Sequence, residues 1–108
     1  MGYTYLLLSV DNDGNEVHKI GISKNHPNLR VKTLQTGNPN LISLINFYES
    51  ENYKKIEKIL HLKYFSCKTL AENEWRNLSN ENVFSFIEEC KKADETISFL
   101  KENNHFFK

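Results

Sequence analysis

The sequence predicts an α+β domain: a small three-stranded antiparallel sheet flanked by helices, in the order ββαβα with a further C-terminal helix. Three observations predict it. Two runs of β-formers flank a dense cluster of turn residues near the N-terminus. Two later stretches carry apolar residues at helical spacing. The chain has 108 residues, 39% of them hydrophobic, which fits a single domain over 1–108 with its core in about residues 2–78.

The first strand runs from Thr4 to Val10 and is apolar on both faces, as a central strand should be. Asp11-Asn12-Asp13-Gly14-Asn15 is a turn, in which Gly14 can take the positive φ that a tight loop requires. Glu16 to Ser23 returns as the second strand. With a five-residue loop, residues facing one another across this hairpin share parity. Tyr3, Tyr5 and Leu7 then lie on one face with Lys19 and Gly21, while Leu6, Leu8, Ile20 and Ile22 line the core-facing side.

Pro27 suits a first helical turn, and Leu29, Val31 and Leu34 support a short helix over about 28–36. Gly37-Asn38-Pro39-Asn40 ends it. Leu41 to Tyr48 reads as the third strand. Tyr53, Ile56, Ile59, Leu60 and Tyr64 have helical period within residues 52–65, and residues 66–78 read as irregular. One long amphipathic helix is expected over about 81–102, with Val83, Phe86, Ile87, Cys90, Ala93, Ile97 and Leu100 on its apolar stripe.

Two cysteines, Cys67 and Cys90, are too few for a disulfide framework or a Cys-rich zinc module, and read as free thiols. No apolar run approaches the roughly 18 residues of a membrane span. Without a basic n-region or small-residue cleavage site at the start, the expected location is cytoplasmic, the host-cell cytoplasm for a viral chain. Net charge is zero, but residues 17–68 hold nine bases against three acids, between acidic ends. A basic middle can present one electropositive face to phosphates, or it can be a solvated mixed surface.

Several short motifs then line up in order: Gly2-Tyr3-Thr4-Tyr5, Lys19-Ile20-Gly21-Ile22-Ser23, Leu29-Arg30, Leu34-Gln35-Thr36-Gly37-Asn38-Pro39, Glu57 to His61, and Glu74-Trp75. Their order and spacing resemble the GIY-YIG nuclease superfamily. The resemblance is closest to its phage- and virus-rich branch, whose second motif reads KIG in place of YIG. It covers about residues 2–78.

The resemblance implies roles for five residues. Tyr5 falls on the tyrosine that orients or deprotonates the attacking water. A free tyrosine titrates near 10, so a neighbouring cation or metal-bound water must assist it. Lys19 stands where most members carry a second tyrosine, able to favour a phenolate or hold a phosphate oxygen. Arg30 matches the arginine of the first helix, whose planar fork suits phosphate. Glu57 corresponds to the glutamate that holds Mg²⁺ or Mn²⁺, one carboxylate with waters being a normal site for such an ion. His61, one turn later, could shuttle a proton, touch phosphate or orient that carboxylate. Each has a plainer reading: Tyr5 as a core aromatic, Lys19 and Arg30 as surface cations, and Glu57 in helical ion pairs. Trp75 reads as a packing anchor, Asn73 and Asn77 compete for one polar position near the phosphate, and His18, His26 and His105 read as solvent-facing or loop groups.

The expected function is a Mg²⁺-dependent endonuclease that hydrolyses DNA by in-line attack of water. The competing expectation is a catalytically silent domain of the same kind that binds nucleic acid or captures a protein in a virus–host contest. DNA is the expected partner, and a homodimer through the C-terminal helix and the Asn103–Lys108 tail is a further expectation. No Gly-rich phosphate loop or nucleophile elbow supports a metabolic enzyme.

Overall fold

The computed structural model describes residues 1–64 and 75–103. Its elements are β1 (Gly2–Val10), β2 (Glu16–Ser23), α1 (Pro27–Gln35), β3 (Leu41–Ser50), α2 (Tyr53–Lys63), β4 (Trp75–Arg76), α3 (Asn80–Phe84) and α4 (Phe86–Asn103). The sheet order is β3-β1-β2-β4, with every pairing antiparallel.

The hairpin has the register its turn dictates, from Val10 opposite Glu16 to Tyr3 opposite Ser23. Asp11 builds the turn: its carboxylate accepts from the Asp13 and Asn15 amides, both at 2.9 Å. Gly14 sits at φ +82°. β3 pairs with the other edge of β1, and a register shift between Leu6 and Leu7 leaves an extra residue in β3 at this point.

The sheet is covered on both faces. On one, Leu6 and Ile20 pack with Ile56 and Leu60 of α2, with Tyr64 just after it, and with Phe86, Cys90, Ala93 and Ile97 of α4. On the other, Tyr5, Leu7 and Ile42 pack beneath Val31 and Leu34 of α1, with Leu44 and Trp75 alongside. The face holding Tyr5 is therefore largely closed by α1, whereas the sequence placed the core on the Leu6 side alone. Leu8 and Ile22, expected in that core, are half-buried.

A polar network fastens α4 to the sheet. Asp94 accepts from Tyr48 Oη, Ser50 Oγ and Asn52 Nδ2, each at 2.8 Å, and Lys101 Nζ donates to Asn52 Oδ1. Burial opposes the Asp94 charge, but hydrogen bonds from Asn52, Ser50 and Tyr48, with the Lys101 charge, hold its carboxyl below the ordinary range. The Tyr48 phenol is pushed up to about 12 by burial and by Asp94, and burial lifts the Cys90 thiol to about 12.

Four expectations are corrected. The sheet has four strands rather than three, because Trp75–Arg76 pairs with His18 and Lys19 on the outer edge of β2; two residues are too few for an alternation signal, and they fall inside the stretch expected to be irregular. The helix expected over 81–102 is two, separated at Ser85, whose hydroxyl donates back to Asn82 O at 3.4 Å. Phe86, on the expected apolar stripe, is 1% exposed, and Phe84 is 87% exposed. Ile59, expected on the buried stripe of α2, is 39% exposed. His18, expected to face solvent, is buried because its register places it on the Leu6–Ile20 face.

Cys67, Asn73, Glu74, His105 and the rest of the tail expected to mediate a homodimer, apart from Asn103, lie outside the described residues. No helix among the described residues is long and apolar enough to cross a membrane.

Candidate active site

The first hairpin positions Tyr5. It lies opposite Gly21 in the β1–β2 register, and its ring crosses that neighbour closely. A β-carbon built on Gly21 would sit 2.5 Å from the Tyr5 hydroxyl oxygen and 2.6 Å from Cζ. Only a residue without a side chain allows this approach. Tyr5 is 2% exposed. Among the described residues β4 pairs with β2 at His18 and Lys19.

Lys19 shares this face, opposite Leu7 on one side and Trp75 on the other. Its ammonium rests over the Trp75 ring, 5.9 Å from the centroid, a cation–π contact. Trp75 is half-buried against the Tyr5 cluster, in keeping with a packing anchor. Arg30 projects into solvent from α1, and no contact ties it to the other candidates.

Glu57 and His61 come from α2, which packs on the opposite face of the sheet. They stand one helical turn apart, with His61 Nε2 3.9 Å from Glu57 Oε1 and side-chain exposures of 22% and 24% for His61 and Glu57. His61 Nε2 lies 3.1 Å from Ile20 O. Its other nitrogen, Nδ1, lies 3.3 Å from an Arg76 guanidinium nitrogen. A carbonyl only accepts and a guanidinium only donates, so one neutral tautomer satisfies both: Nε2 carries the proton and Nδ1 accepts. With both nitrogens engaged, His61 is arranged to pin α2 to β2 beside Glu57, not to take up an ion.

Arg76 was not singled out as a site residue by the sequence. It is 8% exposed, donates to Tyr64 O at 3.3 Å, and its Nε is buried without a partner among the described residues. The chain thus brings together Glu57, His61 and Arg76. Tyr5 and Lys19 lie on the other side of the sheet. The two groups approach the same strand at adjacent residues, Tyr5 at Gly21 and His61 at Ile20. Asn77 is exposed, and Asn73 and Glu74 lie outside the described residues.

Could these residues hold a divalent ion? The Glu57 carboxylate is partly exposed, and His61 Nε2 lies 3.9 Å from it. Oxygen ligands remain available on it. No cluster of three or more His, Cys, Asp or Glu side chains occurs among the described residues. The donor set is that of one carboxylate completed by water and substrate oxygens, which suits Mg²⁺.

Comparison with known proteins gives one family. Residues 2–93 match the profile of the T5orf172 domain. No curated protein and no solved structure matches the chain.

Proposed function

The chain belongs to the T5orf172 domain family, a phage-associated group of nuclease-type domains, and from that premise we propose that it is a GIY-YIG-type endonuclease of the KIG branch. It hydrolyses a DNA phosphodiester by in-line attack of water. The observation that carries this reading is the convergence on β2: the Tyr5 hydroxyl over Gly21 from one face, and His61 beside Glu57 at Ile20 from the other.

In this reading Tyr5 Oη acts as the phenolate: it orients the attacking water, accepts its proton and ends as the neutral phenol. Lys19, two residues from Gly21 on the same face, favours that phenolate before the transfer or holds a phosphate oxygen. Arg30 reaches the non-bridging oxygens with its paired N–H groups, where charge builds during displacement. Glu57 holds Mg²⁺ or Mn²⁺, which when bound supplies positive charge to the phosphoryl group and the departing 3′-oxygen. His61 and Arg76 fix the turn of α2 that presents Glu57.

The test is nicking of supercoiled DNA with Mg²⁺ or Mn²⁺, with Glu57→Gln as control. Cleavage by the parent and its loss in a folded Glu57→Gln protein support the proposal. Equal cleavage by that variant refutes the assignment of Glu57.

Two observations favour a second reading, a domain of the same kind that binds nucleic acid or a protein without cutting. Tyr5 is almost wholly buried, and the Lys19 ammonium is engaged with Trp75. DNA binding that persists after Tyr5→Phe and Glu57→Gln together, in a parent protein that never cleaves, favours it.

A further inference from the structure

Beyond Tyr5, the same sheet face ends in three aromatic rings in mutual contact. Tyr3 is two residues before Tyr5 on β1, and Phe47 lies directly opposite Tyr5 on β3. His26 caps the start of α1 and brings the third ring. Their centroids are 5.7 Å apart for Tyr3–His26, 5.8 Å for Tyr3–Phe47 and 4.7 Å for His26–Phe47, at interplanar angles of 55° to 69°. Tilted and edge-on rings leave ring faces uncovered. These are not sealed in the core: His26 and Phe47 are exposed and Tyr3 is half-buried.

The cluster is also held in place before any ligand arrives. His26 Nδ1 accepts from the Asn28 amide at 3.2 Å, which fixes the imidazole plane. Glu49 stands opposite Tyr3 on β3, at one end of the cluster; burial and that carboxylate raise the Tyr3 phenol above the ordinary value. Cations stand at the other: exposed Lys24 lies two residues before His26, and exposed Arg30 lies one turn after it. A pre-formed cluster of rings with open faces next to exposed cations matches a nucleotide, with the base on a ring face and the phosphate toward Arg30.

We propose that Tyr3, His26 and Phe47 form a stacking platform for an unpaired nucleobase, so that the chain selects DNA carrying an unpaired nucleotide beside the phosphate presented to Tyr5. A base within continuous duplex has both faces covered by its neighbours and cannot use the platform. An extruded or bulged base, or one in a single strand, can. The placement of the scissile phosphate rests on the nuclease reading above; the stacking does not.

The experiment measures binding in EDTA, so that no cleavage enters. Two fluorescein-free DNA duplexes carry 2-aminopurine, one in a single-nucleotide bulge and one fully paired. The parent protein is expected to bind the bulged DNA about tenfold or more tightly than the paired DNA, with quenching of the bulged base. Phe47→Ala and His26→Ala are expected to lose that preference while binding paired DNA as the parent does. Phe47→Trp, which keeps a ring, is expected to retain it. Thermal melts of each variant check folding, and the exposed position of both side chains makes unfolding avoidable. Equal affinity of the parent for the two DNAs, a preference unchanged by Phe47→Ala, or no DNA binding at all overturns the proposal. Selective binding without any cleavage in Mg²⁺ upholds the platform and removes the endonuclease reading alone.

Discussion

Tyr5 and Gly21 face each other across the first hairpin, and the tyrosine hydroxyl fills the space that a side chain on Gly21 would need, 2.5 Å from its β-carbon position. Gly21→Ala must therefore move the ring. The expected result is a loss of stability of about 1–3 kcal/mol from overpacking, together with a larger proportional loss of cleavage than unfolding accounts for. Chemical denaturation and nicking on the same preparation measure the two.

Arg30 supports the charge distribution without supporting the fold. It is exposed and without a contact among the described candidates, so Arg30→Ala is expected to leave the thermal midpoint unchanged. Cleavage is expected to fall about 100-fold or more, the range seen when one preorganised donor to a developing oxyanion is removed. Arg30→Lys, which lacks the paired fork, should recover only part of it. Full activity in Arg30→Ala would count against its role.

Asp94 makes stability sensitive to acid. Its folded carboxyl titrates below the ordinary value despite burial, because Asn52, Ser50 and Tyr48 donate to the ionised form. A depressed carboxyl contributes stability above its unfolded value, near 4, and that contribution is lost as pH falls through the folded value. Denaturation at stepped pH should show stability falling below about pH 4. Asp94→Asn should be less stable at pH 7 and show a shallower acid slope. An identical slope would exclude this network as its source.

His18 acts in a higher window. Burial lowers its imidazole below the ordinary value, against smaller opposing effects of Glu16 and the Arg76 backbone. The unfolded chain then takes up the proton first, so stability is full above about pH 6.5 and declines as pH falls toward the folded value. Among the described residues its Nδ1 is buried without a partner, and His18→Leu should remove the pH dependence between about 5 and 7 at little cost to stability. Urea midpoints at those two pH values check it.

Much of the fold was legible because local chemistry dictated it. The Asp11–Asn15 turn set the loop length, and with it the register from Tyr3 opposite Ser23 to Val10 opposite Glu16. The same parity placed Tyr5 against Gly21. It also placed His18 beside Ile20, yet a polar ring in a strand reads as solvent-facing until its neighbours are known. The cover that α1 gives the second face was not legible, since only Val31 and Leu34 serve it and Leu29 is 56% exposed. The division at Ser85, where the hydroxyl bonds back to Asn82, falls within an unbroken apolar pattern that gives no sign of it.

The candidate site divides the same way. Glu57 and His61 are visible as an i, i+4 pair in any α2 with this pattern, and their separation follows from helix geometry. Arg76 reaches His61 from fifteen residues away through β4, a strand too short to be read from sequence. The aromatic trio draws on β1, β3 and the cap of α1, and only the β1–β3 register brings Phe47 beside Tyr3.

Single-turnover DNA cleavage by Tyr5→Phe tests the central claim most directly, because the change removes one oxygen and leaves the ring packed over Gly21. A protein that melts like the parent, yet cleaves about 100-fold or more slowly in saturating Mg²⁺, is the predicted result. Cleavage at the parental rate would contradict it, and would leave Tyr5 as part of the core beneath α1.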